Sequence, residues 1–194
     1  MIKEVFGKWI KRLFLFLPGM ILISSTFAQS NDTYICKDVF ISFYSPAPIA
    51  DVAAQTDRAV SAINMKTGDV YFKVPMRTFE FKRGLMQQHF NNDYLQTDKY
   101  PFATFEGKIQ NFTPPTADGT FPVTVVGQMT IHGVSKAYTE QGTLELKNGH
   151  LTAVTAFNIS LEDHHIEIPT ILNYHVAKVV AIKLKATYTL SDKK

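Results

Sequence analysis

Histidine is the side chain of this sequence best suited to acid–base or metal chemistry, and the chain has six of them. His165 and Glu167 stand two positions apart, so an extended segment would point both to one face, as two ligands of a metal ion would need. The adjacent His164 would point to the other face. Because a zinc site takes at least three protein ligands, this pair predicts a solvated polar loop and no metal site.

The other reactive side chains do not form a catalytic set. A serine hydrolase needs its serine on a strained turn between glycines, a setting that is missing at Ser45, Ser61, Ser135 and Ser160. The two neighbouring carboxylates that begin at Glu162 lie in a polar stretch without the burial that tunes a general acid. No glycine-rich phosphate loop is present either. The sequence therefore predicts a protein that is not an enzyme and uses no cofactor.

The charge distribution argues against a nucleic-acid partner. The formal net charge of +3 comes from the first 28 residues, which carry four basic side chains and one acidic one. The remaining residues are balanced in charge and have no Lys/Arg cluster, whereas binding to phosphates needs a cationic face. A single cysteine, Cys36, allows no internal disulfide, and we expect it to be a small buried strand residue.

The first 28 residues have the three parts of a secretory signal peptide. A basic lead, Lys3–Arg12, precedes the apolar run Leu13–Ile23, and small residues precede a cleavage site near Ala28. The apolar run has about eleven residues, well short of the roughly 20 that a membrane-spanning helix needs. We predict a signal peptide over 1–28, a mature domain over 29–194 in the periplasm or outside the cell, and no membrane span after cleavage. A retained anchor is the alternative.

Alternation of apolar and polar residues dominates the chain from Thr33 onward, which is typical of half-buried strands. Turn signals separate these strands at Lys66–Asp69, His132–Gly133 and Asn148–Gly149. We count about eight strands joined mainly as hairpins. Eight antiparallel strands can close into a barrel just wide enough for one thin ligand. The pattern predicts an all-β fold, a single antiparallel barrel with one or two short helices.

Helical spacing is convincing in one segment, Gly84–Asn92, which is too short to be stable alone and must pack on the barrel mouth. Its apolar stripe consists of Leu85, Met86, His89 and Phe90. A second stretch, Ala50–Ala59, has mixed polarity and could form one or two helical turns.

Two motifs resemble those of the YceI-like family. The first begins with Met86-Gln-Gln-His-Phe90 and continues with Tyr100-Pro-Phe-Ala-Thr-Phe105. The second is Gly127-Gln-Met-Thr-Ile-His-Gly-Val-Ser-Lys136, which has Met129 where the family has Leu and Ser135 where it has Thr. The resemblance extends more weakly from about Cys36 to Thr189. It implies a lipocalin-like antiparallel barrel that holds a long apolar ligand, commonly an isoprenoid, in an exported compartment.

The resulting hypothesis is an exported, non-catalytic carrier whose barrel tunnel holds a long-chain apolar ligand such as a polyprenyl lipid or quinone. Alternate strand positions would line the tunnel, and the helical stripe would form its lid. The predicted ligand-binding residues are Phe72, Val74, Met76, Leu85, Met86, His89, Phe90, Phe105, Met129, Phe157, Ile159, Ile182 and Leu184.

The sequence leaves other functions possible. His89 and His132 could meet near the barrel rim, where they would hydrogen-bond within the protein, contact a ligand's polar head, or serve a small hydrolase or isomerase. A barrel filled by its own side chains would instead suit a scaffold or interaction protein. A homodimer is compatible with either reading.

Overall fold

The computed structural model of the protein describes residues 32–46, 51–167 and 177–191. The predicted signal peptide and its cleavage site near Ala28 lie outside these residues. In the described part of the chain, alternation of apolar and polar side chains produces nine strands. Their bounds are β1 Thr33–Ser45, β2 Val52–Asn64, β3 Asp69–Pro75, β4 Glu80–Phe81, β5 Phe102–Ile109, β6 Gly119–Ile131, β7 Val134–Lys147, β8 His150–Ser160 and β9 Val179–Leu190.

Helical structure is short and irregular. One α-helix, α1, spans Gly84–His89 and runs directly into a π-helical turn at Phe90–Tyr94. Two 3-10 turns span Met76–Thr78 and Glu162–His164. Within the described residues, no helix has the length and apolar character needed to cross a membrane.

The sheet closes on itself because β1 pairs antiparallel with both β2 and β9. From β9 the order continues through β8, β7, β6, β5 and β3 back to β2, so eight strands form the barrel. The short β4 adds to the start of β2, where Phe81 pairs with Ala54. Closure gives each of the eight strands a neighbour on both sides. The predicted fold class is confirmed.

Type and spacing of the turn residues explain the hairpins. Asn148 and Gly149 both have positive φ, as do His132 and Gly133, and each pair links two strands directly. Two positive φ values in a two-residue loop match the right-handed twist of the strands that it joins. Both turns were predicted from the sequence.

The predicted helical turns within Ala50–Ala59 are wrong, because β2 is continuous from Val52 to Asn64. Its buried residues change parity between Thr56 and Ala59. The register shifts at that point, where Val39 and Ile41 of β1 face them. An extra residue in one strand is a β-bulge, and it hides the strand period in the sequence.

Gly107 and Gly127 face each other across β5 and β6, where the two strands approach closely. A Cβ on Gly127 would collide with the carbonyl oxygen of Glu106, the Cα of Gly107 and the ring of Phe105. The Phe105 ring therefore occupies the space that side chains would take at both glycines. This contact keeps the aromatic ring against the barrel wall.

We predict that Gly127→Ala destabilises the barrel by about 1–3 kcal/mol, the usual cost of overpacking a filled site. Gly84→Ala is the matched control, because no atom lies within 4 Å of a Cβ at that position. Since alanine also favours a helix over glycine by roughly 0.5–1 kcal/mol, the control should be neutral or slightly stabilising. Urea unfolding measures both. Equal stability of the two variants would contradict the close approach at Gly127.

Candidate functional site

The barrel encloses an almost wholly apolar cavity of about 250 Å³. All eight barrel strands contribute residues to its lining. The side chains that point inward are therefore too few or too small to fill the lumen. A cavity with so few polar groups binds apolar molecules through the hydrophobic effect.

Most of the predicted ligand-binding residues line this cavity. They are strand residues chosen by alternation, Met76 of the first 3-10 turn, and Phe90, which follows α1. The lining members of the predicted set are Phe72, Val74, Met76, Phe90, Phe105, Met129, Phe157, Ile159, Ile182 and Leu184. Their contact with a ligand stays a prediction.

Three predicted residues, all on α1, lie outside the lining. Leu85 is 53% exposed, while Met86 and His89 are half-buried. Phe90, at the start of the π-helical turn, is buried and reaches the cavity. Of the predicted helical lid, this residue alone is placed to close the lumen, and the role of the other three stays a prediction.

Four phenylalanines form a cluster over one end of the cavity. Phe90 stacks on Phe43 with 5.7 Å between ring centroids and lies 5.0 Å from Phe81. Phe79 packs 5.4 Å from Phe43 and 5.7 Å from Phe90. Tilted and edge-on contacts of this kind add to the stabilisation from apolar burial. Sequence reasoning missed Phe43 and Phe79 as lining residues. The signal for Phe79 is that it and Phe81 stand at odd positions, whereas the preceding apolar residues Phe72, Val74 and Met76 stand at even ones.

Tyr188 contributes the polar group at a deeply buried part of the lining. Its hydroxyl lies 2.7 Å from the Ser61 hydroxyl, and both side chains are almost fully buried. Burial raises the pKa of Tyr188 far above its ordinary value, so the phenol stays neutral. The hydrogen bond satisfies both hydroxyls within the protein.

His89 and His132 have separate partners. Nδ1 of His89 lies 2.6 Å from a carboxylate oxygen of Asp93. Nδ1 of His132 donates to the carbonyl oxygen of His164 over 3.3 Å, and its ring packs edge-on against Tyr100. Among the described residues, no hydrogen bond or ring contact joins His89 to His132. Each histidine is held by its own partners.

His164 is fully buried and holds its 3-10 turn against β7. Its Nδ1 lies 3.0 Å from the carbonyl oxygen of Val134, which can only accept, so Nδ1 carries the proton. Nε2 is then the acceptor for the Tyr138 hydroxyl at 2.9 Å. Burial lowers the pKa of His164. His165 is exposed. The predicted solvated polar loop is therefore wrong at His164, because the 3-10 turn directs that ring into the protein.

Metal ligation has no geometric support in the described part of the chain. No group of three or more His, Cys, Asp or Glu side chains there is arranged to hold an ion.

A sequence model of the YceI-like domain matches residues 42–188, which is most of the chain. The chain belongs to the YceI-like family. No curated protein matches it by sequence. The matched region includes both motifs that carried the resemblance and almost all of the cavity lining.

Solved structures show the same fold at low sequence identity. A polyisoprenoid binding domain from Saccharophagus degradans, implicated in plant cell wall breakdown, superposes with a TM-score of 0.70 at 12% identity, covering 82% of this chain and 99% of that one. BcnA from Burkholderia cenocepacia superposes with a TM-score of 0.65 at 17% identity, covering 78% of this chain and 96% of that one. The YceI protein of Campylobacter jejuni superposes with a TM-score of 0.53 at 14% identity, covering 70% of this chain and 81% of that one.

We predict that acid weakens the fold through His164. A histidine whose folded pKa is lowered binds fewer protons than the unfolded chain does. Its stabilising contribution is therefore present above the unfolded pKa of about 6.5 and is lost as the pH falls through that value. Free energies of unfolding near pH 7 and near pH 5 would measure the loss.

The loss should shrink in His164→Gln and persist in His165→Asn, the matched control at the exposed neighbour. Asparagine tolerates the left-handed backbone that His165 adopts at φ 51°. If His164→Gln fails to fold, NMR titration of the wild-type ring gives the pKa directly. An ordinary or raised His164 pKa would contradict the prediction.

Proposed function

We propose that this YceI-like protein is an exported, non-catalytic carrier that holds one long-chain isoprenoid in its barrel cavity. The observation that carries the proposal is the unfilled, apolar lumen of about 250 Å³. Ligand cavities in proteins usually measure roughly 300–1,000 Å³, so this lumen is small. Because an eight-stranded barrel is only just wide enough for one small ligand, the lumen favours a thin chain over a broad molecule.

Burial of a hydrocarbon chain supplies enough free energy for binding. Each buried methylene contributes about 0.8 kcal/mol, whereas association costs an estimated 4–15 kcal/mol of lost freedom. A chain of roughly fifteen carbons can therefore bind with few polar contacts. Length and width would then decide which ligands fit.

Relatives support the isoprenoid class. The solved domain from Saccharophagus degradans is described as polyisoprenoid binding, and it shares the barrel with this chain. At 12% identity the likeness itself establishes only the fold. Export rests on residues 1–28, and homodimer formation stays a prediction.

Two rival functions make different demands on the structure. A small enzyme would need cooperating rim histidines, yet His89 and His132 have separate partners. Alanine replacement of His89, His132 and His165 should abolish the function of an enzyme and only weaken a carrier. A scaffold with a self-filled barrel would leave no lumen, contrary to the cavity found here.

We predict that Ala153→Phe blocks ligand binding, because Ala153 lines the cavity and a phenyl ring there would displace part of the chain. Loss of two buried methylenes already costs about 1.6 kcal/mol, or roughly tenfold in affinity. Ala156→Phe is the matched control, since Ala156 lies on the same strand and is exposed. Displacement of a fluorescent isoprenoid would measure both affinities.

Native mass spectrometry of protein purified from its own host tests the proposal directly. We expect a long-chain lipid in the wild type and in Ala156→Phe, and an emptier barrel in Ala153→Phe. Repeated recovery of empty wild-type protein that also binds no C20 isoprenoid would refute the carrier function.

A further inference from the structure

β7 and β8 pair over only part of their lengths. Their ladder runs from Lys147 and His150 at the hairpin to Gly142 and Thr155. Beyond that point residues 134–141 stay paired with β6, and residues 156–160 stay paired with β9. Among the described strands, the two edges diverge and leave a notch in the barrel wall, which we define by these two segments.

The 3-10 turn at Glu162–His164 occupies the wide end of the notch. His164 reaches across to β7, where it bonds to the backbone of Val134 and the hydroxyl of Tyr138. At the narrow end, the Thr155 hydroxyl donates to the carbonyl oxygen of Gln141. Side chains thus replace the missing backbone ladder at both ends, and the wall between them lacks interstrand hydrogen bonds.

Glu140 lies within the notch and lines the cavity. It belongs to the inward set of β7, with half-buried Tyr138 before it and buried Leu144 after it, while Glu145 faces solvent. Among the described residues of the lining, Glu140 alone carries a carboxylate or an amine. Its carboxylate forms no hydrogen bond or ion pair with the described residues.

A carboxylate in this position is unfavourable for the empty barrel. Burial raises the pKa of Glu140, which means that its charged form loses hydration without gaining a partner. The residue is only partly buried, so water still reaches it from the notch. A hydrogen-bond donor brought by a ligand would satisfy this oxygen acceptor.

We infer that the Glu140 carboxylate, which faces the apolar lumen where β7 and β8 diverge, binds the polar head of the ligand and selects an alcohol over an anionic head. This inference rests on the proposed function. The hydroxyl donates to the carboxylate, and the apolar chain extends into the lumen. A carboxylate or phosphate head would place like charges close together, which weakens binding.

Three C20 isoprenoids that differ only in the head separate these effects: the alcohol geranylgeraniol, the matching carboxylic acid and the matching hydrocarbon. Displacement of a bound fluorescent isoprenoid at pH 8, where carboxylates are ionised, gives each dissociation constant. A hydrogen bond to a charged group corresponds to roughly a ten- to hundredfold gain. The wild type should therefore bind the alcohol at least about tenfold more tightly than the acid.

Glu140→Gln keeps the shape and removes the charge. We expect it to bind the acid several-fold more tightly than the wild type does and the alcohol more weakly, while hydrocarbon affinity stays unchanged. Glu145→Gln is the matched control, because it removes the same charge from an outward position of the same strand. Thermal unfolding of each variant verifies that the barrel is intact.

Equal affinity of the wild type for alcohol and acid would overturn the inference, as would a Glu140→Gln variant with unchanged head preference. Either result, with tight hydrocarbon binding retained, leaves the carrier function standing. Absence of binding by all three isoprenoids to the wild type would overturn both. A Glu145→Gln variant that changed the head preference equally would assign the effect to net charge and also overturn the inference.

Discussion

Closure of the sheet around an unfilled lumen is the constraint on which the structure depends. β1 makes the closure, and it does so with register shifts on both sides, between Cys36 and Ile41 towards β2 and between Ile35 and Phe40 towards β9. An eight-stranded barrel is only just wide enough to hold a small ligand. The sizes of the inward side chains therefore decide whether the lumen is filled or open.

Small residues and one constrained aromatic keep the lumen open. Ala103, Ala153 and Ala186 take inward positions that larger side chains would fill. The Phe105 ring lies where the missing side chains of Gly107 and Gly127 would be, so it packs along the wall. Gly107 and Gly127 thus do two things. They let β5 and β6 approach closely, and they leave room for the Phe105 ring away from the barrel axis.

Sequence periodicity predicted the barrel strands, and most of the residues that it selected line the cavity, because inward residues of a strand recur at every second position. It failed for β2, whose inward residues Ala54, Thr56 and Ala59 are small or polar and change phase at a bulge. On α1 the apolar stripe could not tell Phe90, which reaches the lumen, from exposed Leu85. The π-helical turn that begins at Phe90 changes the direction of the side chains there.

Sequence periodicity could not predict the notch, because β7 alternates between apolar and polar residues in the same way whether or not β8 pairs with it. The sequence does contain one sign of it, a glutamate at an inward position of β7 between Tyr138 and Gly142.

Other polar groups around the lumen have partners within the fold: Tyr188 bonds to Ser61, His164 bonds to Tyr138, and Ser45 accepts from Ala177. The buried polar side-chain atoms that have no partner among the described residues, Asn91 Oδ1 and His132 Nε2, belong to residues outside the lining. The Glu140 carboxylate is only partly buried, but it faces an apolar wall without a hydrogen-bond partner, and a ligand that enters the lumen would supply the donor that the fold does not.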